Sequence, residues 1–287
     1  MSRILVVTDT VANIPSDLCK SLGIVLVSLH IEMEGKSYRD AVDIDSDSIY
    51  QRMREGSALP SSSQVNAYDF LLAFESNLSP DIKTILVITI SSKLSSTYLS
   101  AMSAKQTFEE NHPPVHIEVI DSLCAAMSQG WIVIEAARKA NKGAGLDKVL
   151  DRIKDISRKL KFYVVFETLE YLRRGGRIGR AAALLGSMFH ILPIISFSPD
   201  GAIIGATRVR SKKQGFDWMK RRIQESLAPG RKLHMAVMHA DAKDEAKQLL
   251  KDIETEFPCR ESFITTLTPV MGIHTGPGLV GVSFFSE

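Results

Sequence analysis

Four short segments combine small residues with side chains that donate hydrogen bonds. They are residues 60–64 (PSSSQ), 94–98 (LSSTY), 175–178 (GGRI) and 272–278 (GIHTGPG). Their hydroxyl, guanidinium and imidazole groups supply several donors, and they contain few acceptors. If the fold brings these segments together, the resulting site suits an anionic oxygen group such as a carboxylate or a phosphate.

Each segment also has an ordinary structural explanation. The serines at 61–63 and the hydroxyl residues at 95–97 are expected to start helices, where they act as caps. A helix start offers free N–H groups and the positive end of a dipole, so the same hydroxyls help to hold an anion. Arg177 follows two glycines that can end a helix, and it either faces solvent or binds a carboxylate through two parallel hydrogen bonds. His274 lies among glycines, which indicates a tight turn or the close approach of a ligand.

The composition is that of an ordinary globular protein. Of 287 residues, 45% are hydrophobic and 24% are charged, which argues against disordered and fibrous classes. The formal net charge of +2 gives no global field that favours nucleic acid, so we expect no nucleic acid partner. Three widely spaced cysteines without a CxxC pair fit a reducing compartment. The first apolar run is too short for a signal peptide, so the sequence predicts a cytoplasmic protein.

The familiar catalytic motifs have little support. The sequence contains no GxxxxGK[ST], GxSxG or HExxH segment, and residues 175–179 (GGRIG) do not match GxGxxG. His112 and His116 are separated by two prolines, which prevent the helix that would align them as metal ligands. A hydrolase with Ser95 and His274 is an alternative, but the surplus of hydroxyls favours binding over nucleophilic attack. We therefore expect no catalytic residues, no metal and no cofactor.

The pattern of strands and helices predicts an α/β protein with two domains. Residues 1–160 alternate strand and helix signals, which predicts a three-layer α/β/α domain with a mainly parallel sheet. Residues 161–287 include a hairpin signal at Asp200-Gly201 and predict a two-layer α/β domain with a mixed sheet. Asp9 and Asp121 follow strands of the first domain, where acids serve in turns and caps or face a ligand.

Two further stretches carry alternative interpretations. Eight basic residues lie between Arg173 and Lys213, with only Asp200 opposing them in that stretch, which indicates either a solvated face or an anion or partner site. The uncharged run from Ala181 to Pro199 is predicted to form a helix followed by a buried strand. That run either belongs to the core or lines an apolar pocket.

With these residues in view, the chain resembles the DegV family over nearly its whole length. The matching motifs, in order, are 8–10 (TDT), 14–18 (IPSDL), 38–40 (YRD), the serines before Gln64, 94–101, 120–122 (IDS), 168–178 (TLEYLRRGGRI) and 274–278 (HTGPG). The resemblance implies a two-domain fold that holds a fatty acid between the domains. The acyl chain would lie in an apolar tunnel, with its carboxylate at the domain junction.

The resemblance also implies which residues bind the ligand. The family's threonine after the proline falls on Ser62, its carboxylate-binding serine on Ser95, its arginine on Arg177 and its histidine on His274. Further residues expected to line the pocket are Ser63, Ser96, Thr97, Thr275, Leu184, Met188 and Phe189. The chain departs from the family pattern at Ser62, which replaces threonine, at Ser96, which replaces glycine, and at Val65-Asn66, which replace proline and serine.

The function implied by the resemblance is that of a lipid-binding subunit in bacteria that use a fatty acid kinase system. Such a protein presents the fatty acid to a separate ATP-dependent kinase and carries the acyl-phosphate toward phospholipid synthesis, with no catalytic activity of its own. Arg208 and Arg210 would face the kinase or make transient contact with an anionic membrane. The alternatives are a small-molecule kinase or transferase related to dihydroxyacetone kinase, and a regulatory module that binds a non-lipid ligand.

Overall fold

The strand and helix signals of the first half fold into a parallel sheet with helices between its strands. The computed structural model describes residues 3–55, 59–184 and 191–287. Four strands, β1 (Arg3–Asp9), β2 (Ile24–Val27), β6 (Ile82–Thr89) and β7 (His116–Asp121), pair in the order β2-β1-β6-β7. All three pairings are parallel. The carboxyl ends of these strands therefore lie at one edge of the sheet, where ligands of such folds bind.

Helices and a small second sheet complete this part of the chain. The helices are α1 (Ser16–Leu22), α3 (Ala67–Asn77), α4 (Thr97–Asn111), α5 (Ala126–Asn141) and α6 (Leu146–Lys159), and Thr10–Ala12 forms one 3-10 turn. The small sheet has the order β4-β3-β5, with β3 (His30–Met33), β4 (Lys36–Arg39) and β5 (Ser61–Ser63). Glu34 and Gly35 both have positive φ, which is the backbone of a tight hairpin turn between β3 and β4.

The second half forms a mixed sheet. Its strands are β8 (Lys161–Val165), β9 (Leu192–Phe197), β10 (Ile203–Val209), β11 (Leu233–His239), β12 (Cys259–Thr266) and β13 (Val280–Ser286), in the order β10-β9-β8-β13-β11-β12. The β11–β12 pair is parallel and the other four pairs are antiparallel. The helices are α7 (Glu170–Arg174), α8 (Lys212–Ser226), α9 (Lys243–Glu256) and α10 (Pro269–Thr275), and Gly179–Leu184 is a 3-10 helix. Residues such as Met219, Val237 and Phe284 form its buried core.

The contacts divide the described chain into two compact units. The first unit comprises the residues up to Asp43 and Ser62–Arg158, and the second comprises Ile44–Ser61 and Lys159–Glu287. The segment 44–61 contains α2 (Ser46–Arg54), which packs with the second unit. There the Ser46 hydroxyl donates to the Leu267 carbonyl at 2.6 Å, and Arg54 pairs with Asp241. The sequence predicted a boundary near residue 160 and placed α2 in the first domain, because a helix between strands resembles one more crossover.

The predicted α/β class, with a mainly parallel sheet followed by a mixed sheet, is confirmed. Two local predictions are wrong. Residues 61–63 form strand β5 rather than a helix start, and His274 lies on helix α10 rather than in a turn. The helix expected from Ala181 is a 3-10 helix up to Leu184, and residues 185–190 lie outside the described residues. In the ranges that the structure describes, no helix is long and apolar enough to cross a membrane.

Candidate functional site

Ser95 belongs to a compact loop between β6 and α4. The amides of Leu94 and Ser95 donate to the Ser91 carbonyl at 2.9 and 3.1 Å, which closes a turn. The Ser95 hydroxyl accepts from the Thr97 amide at 3.3 Å and lies 2.9 Å from the Thr97 hydroxyl. Ser96 is the N-cap residue but makes no side-chain capping bond, and it is exposed. The predicted capping role of this segment therefore falls on Ser95, whose half-buried hydroxyl sits at the start of α4.

Ser62 and Ser63 lie on strand β5, beside β3 in the small sheet, and both are half-buried. The N-cap of α3 is Asn66, whose side chain accepts from the Asp69 amide at 2.9 Å and forms a reciprocal capping box with it. Asp69 also bonds the His30 ring at 2.7 Å. Because Asn66 caps the helix, the serines are left in extended backbone, and their hydroxyls have a different geometry from the one that the sequence suggested.

The backbone around Arg177 turns sharply after α7. Gly176 has a φ of 69°, and its amide donates to the Arg173 carbonyl at 3.1 Å. The Arg177 amide donates to the Leu172 carbonyl at 2.9 Å, which completes a helix end of the type that glycine permits. The guanidinium is exposed, and its Nη1 donates to the Gly175 carbonyl at 2.6 Å. The predicted role of the two glycines in ending the helix is confirmed.

His274 packs directly against this turn. A Cβ placed on Gly175 would lie 2.3 Å from His274 Nδ1, so the ring occupies the space that any other residue at 175 would need. Burial, and second the positive charge of Arg177, lower the pKa of His274 to about 4. The imidazole is therefore neutral at physiological pH, next to a permanent cation. The second unit thus brings Arg177 and His274 together around Gly175.

Two more glycines hold the same segments together. A Cβ on Gly276 would lie 2.2 Å from the Tyr171 ring, and one on Gly278 would lie 2.3 Å from the Glu167 carboxyl carbon. Both glycines have positive φ, 74° and 84°, which side chains disfavour. The 167–175 and 274–278 segments therefore interlock at close backbone approaches. The glycine pattern of the sequence indicated such approaches but not their partners.

The residues expected to line a pocket have varied surroundings. Leu184 packs onto Gly205 of β10, where a Cβ would lie 2.6 Å from its Cδ1. The Thr275 hydroxyl donates to the Met271 carbonyl within its own helix at 3.0 Å, and Thr97 is fully buried. Met188 and Phe189 lie outside the described residues. Whether these residues line a pocket stays a prediction.

The positive charges between Arg173 and Lys213 are neutralised by more acidic side chains than the sequence suggested. Glu170 pairs with Arg173 and Arg174 at 2.7 Å, and Arg180 pairs with Asp200. Lys212 lies 2.6 Å from Glu245 and 3.0 Å from Glu167. The acids that neutralise this stretch therefore come mostly from outside it.

Arg208 and Arg210 differ from these paired cations. Both are exposed, and across the described ranges neither makes an ion pair with an acid. Arg208 Nη2 donates to the Ala183 carbonyl at 2.9 Å, and the Arg210 amide donates to Gln214 Oε1 at 2.9 Å. Two neighbouring positive charges thus remain on the surface of the second unit.

Comparisons with known proteins agree on one family. The model of a family described as "Uncharacterised protein, DegV family" matches residues 3–287. A DegV domain-containing protein of Clostridium perfringens is 36% identical over 282 residues, which is 98% of each chain. A solved Thermus thermophilus structure, described as "Fatty Acid Binding of a DegV family Protein", is similar with a TM-score of 0.91 and 31% identity over 99% of this chain and 100% of that one. The structure of "DegV, a fatty acid binding protein from Bacillus subtilis" gives a TM-score of 0.88 with 25% identity over 100% of both chains.

Proposed function

The chain belongs to the DegV family, and from this premise we propose that it binds a long-chain fatty acid through the carboxylate. The proposed carboxylate-binding residues are Ser62 and Ser95 in the first unit and Arg177 and His274 in the second. The observation that carries the proposal is the pairing of an exposed guanidinium with a neutral imidazole around Gly175. Relatives described as fatty-acid-binding proteins support the choice of ligand.

The charge of the second-unit residues favours a carboxylate over a phosphate. Arg177 carries one permanent positive charge, and His274 is neutral because its pKa lies near 4. A neutral imidazole and serine hydroxyls donate hydrogen bonds without adding charge. One cation and several neutral donors match the single negative charge of a carboxylate. A phosphate dianion would leave one charge uncompensated, which is costly when it is buried.

An apolar chain on the ligand would supply most of the affinity. Each buried methylene contributes about 0.8 kcal/mol, so an alkyl chain with about fourteen methylenes gains roughly 11 kcal/mol before entropy costs. The apolar stretch that begins at Ala181 directly follows Arg177 in sequence, and Leu184 is its last described residue. We propose that this stretch contacts the acyl chain. That the ligand is held between the two domains stays a prediction, which variants in both units test.

We further propose that the protein is a cytoplasmic binding subunit without catalytic activity of its own. A separate ATP-dependent fatty acid kinase would phosphorylate the bound acid, and the acyl-phosphate would enter phospholipid synthesis. The exposed pair Arg208 and Arg210 supports a surface for that kinase or for transient contact with an anionic membrane. The Ser95 hydroxyl contacts Thr97, an arrangement that fits binding better than nucleophilic attack. A simple check is incubation of the protein alone with ATP, for which we expect no hydrolysis.

Denaturing solvent extraction of the purified protein, followed by mass spectrometry of the extract, tests the ligand. We expect fatty acid in near-equimolar amount. The same extraction after refolding with oleate and palmitate reveals chain preference and covers the case of ligand lost in purification. An extract without lipid in both experiments would overturn the proposal and favour a small-molecule kinase or a non-lipid binding module.

A further inference from the structure

The loop that carries Ser95 is held by an aspartate on each side. Strand β6, which leads into the loop, lies between β1 and β7 in the parallel sheet, and both neighbours end in an aspartate. Asp9 Oδ2, at the end of β1, accepts a hydrogen bond from the Ile90 amide at 2.7 Å. Asp121, at the end of β7, accepts from the Ser92 amide at 3.2 Å. The two carboxylates therefore bind alternate amides of the same loop from opposite sides.

The carboxylate of Asp9 is fully buried and extensively bonded. Besides Ile90, it accepts from the Val11 amide at 3.1 Å and from Gln129 Nε2 at 3.1 Å. Gln129 is itself fixed, since its Nε2 lies 3.0 Å from the Thr8 hydroxyl. Burying a carboxylate is costly unless donors surround it. Because Asp9 has no exposed surface, it acts on a ligand only through the loop that it holds.

The held amides connect directly to Ser95. Ser91 lies between Ile90 and Ser92, and its amide donates to the Cys124 carbonyl at 2.8 Å. The Ser91 carbonyl in turn accepts from the amides of Leu94 and Ser95. A displacement of Ile90 or Ser92 therefore moves the turn on which the Ser95 hydroxyl is mounted.

We propose that Asp9 and Asp121 are positioning residues for Ser95, which orient its hydroxyl by holding the loop at residues 90–95. This assignment rests on the proposed function, in which Ser95 binds the ligand. Neither aspartate is assigned a contact with the ligand. The Asp9 bond to Ile90 is the shorter of the two, and Asp9 is fully buried.

If Asp9 holds the loop through its charge, a change in its protonation state changes how firmly the loop is held. Ordinary packing would show no such dependence. Burial raises the pKa of Asp9 to about 7, against the lowering effect of its hydrogen bonds. The neighbouring acids are Asp40, which accepts from Thr10, and Asp121 across the loop. Cys124 is the other titratable neighbour, and burial raises the pKa of its thiol to about 12, so it stays neutral. The hydrogen-bond donors to Asp9 among the described residues are uncharged: the amides of Ile90 and Val11 and the side chain of Gln129.

The expected pH dependence follows from this. Above pH 7 the ionised carboxylate accepts a charge-assisted bond from the Ile90 amide, which is stronger than a neutral one. Below pH 7 protonation removes the charge and weakens the hold on the loop. A local opening that breaks the Ile90 bond but leaves Asp9 buried costs more when Asp9 is ionised, because that bond favours the ionised form. The protection of the loop amides against hydrogen exchange should therefore rise between pH 6 and pH 8 in the ligand-free protein. Complete unfolding, which exposes Asp9 to water, has the opposite pH dependence.

The experiment compares the wild-type protein with Asp9→Asn and Asp121→Asn. The first measurement is the protection factor of the amides of residues 90–95 without ligand, from pH 6 to 8.5. The second is oleate affinity over the same range, as a ratio to wild type so that ionisation of the lipid cancels. We expect each variant to weaken oleate binding about tenfold, the equivalent of one charged hydrogen bond. Asp9→Asn should abolish the pH dependence of protection, whereas Asp121→Asn should retain it because Asp9 is intact.

Two outcomes overturn the proposal. One is protection of the amides of residues 90–95 that is as high in a folded Asp9→Asn protein as in the wild-type protein at pH 8. The other is unchanged oleate affinity in a folded Asp121→Asn protein. If instead the proposed function is wrong, the wild-type protein does not bind oleate at any pH. The exchange measurement still reports on the loop in that case, so the two failures can be distinguished.

Discussion

The imidazole of His274 occupies the place where a side chain on Gly175 would begin, with Nδ1 2.3 Å from the missing Cβ. Gly175 has a φ of −74°, which any residue adopts. Glycine is thus required at 175 by the neighbouring ring and not by the backbone conformation. The same glycine offers its carbonyl to Arg177, so a single small residue sets the positions of both proposed ligand-binding side chains of the second unit.

Replacement of Gly175 by alanine should displace His274 and weaken fatty acid binding. A contact of 2.3 Å forces the ring or the α7 end to move, since real Cβ atoms do not approach other atoms so closely. We expect oleate affinity to fall by about tenfold, the loss of roughly one well-oriented hydrogen bond to a charged group. Isothermal titration with oleate measures the change.

Gly145→Ala is the matched control for this substitution. Gly145 is exposed and has no atom within 4 Å of the Cβ position, so the added methyl group meets open space. Oleate affinity should equal that of the wild-type protein. Equal affinities of Gly175→Ala and Gly145→Ala would contradict the assigned role of His274.

Arg177→Ala should both weaken binding and raise the pKa of His274. The guanidinium is the second cause of the low pKa of His274, after burial. Without that charge, the pKa should rise above 4 yet stay below the ordinary value of about 6.5, since the ring remains buried. An NMR titration of the His274 ring measures the shift. An unchanged titration would show that the guanidinium lies too far away to act on the ring.

Most features that the sequence did not predict depend on contacts between residues that are far apart in the chain. Local periodicity in the sequence predicts a strand at Leu233–His239 and a helix that ends near Ser226, and these are β11 and α8. The β3–β4 hairpin was missed because its strands have only four residues each. The site residues were identified by family motifs, whereas the 2.7 Å bond between Asp9 and Ile90 joins residues 81 positions apart. No local pattern encodes such a pair.

The serines of the first unit show the limit of a local signal more directly. A serine before an apolar helix is a good N-cap, so residues 61–63 were expected to cap α3. Asn66 and Asp69 supply the stronger capping box three residues later, which leaves the serines to pair in a strand. The helix was predicted and its cap was wrong. Ser62 keeps its proposed role in binding the carboxylate and Ser63 its proposed place in the pocket, but both hydroxyls project from a strand and not from a helix start.

Arg208→Ala and Arg210→Ala test the proposed surface for a kinase. Both side chains are exposed, and in the described part of the chain no acid pairs with them, so each offers its charge to a partner. Each variant should bind oleate normally but pass it to the kinase less well. The defect should be largest at low salt, where the steering effect of the lost charge is least screened. A phosphorylation assay with the kinase subunit measures the rate.

Arg231→Ala, which removes an exposed cation elsewhere in the second unit, is the control for net charge. A normal rate in both test variants removes the assignment.

The stability of the protein should depend on pH through two groups of opposite sign. Asp9 has a folded pKa of about 7, above its ordinary value of 3.8, because burial penalises its charge. Its contribution to the free energy of unfolding is therefore present below pH 4 and is lost as pH rises through 7. His274 has a folded pKa of about 4, below its ordinary 6.5, so its contribution is present above pH 6.5 and is lost as pH falls toward 4.

Between pH 4.5 and 6.5 the two slopes oppose each other, and single variants should separate them. Each slope is roughly 1.4 kcal/mol per pH unit. Relative to the wild-type protein, Asp9→Asn should gain stability as pH rises through this window, because it removes the group that loses stability. His274→Gln should change in the opposite direction and gain as pH falls. Urea unfolding at several pH values measures both differences. If the Asp9→Asn difference is independent of pH, the folded protein ionises Asp9 as readily as the unfolded chain does, and its burial is compensated by its three donors.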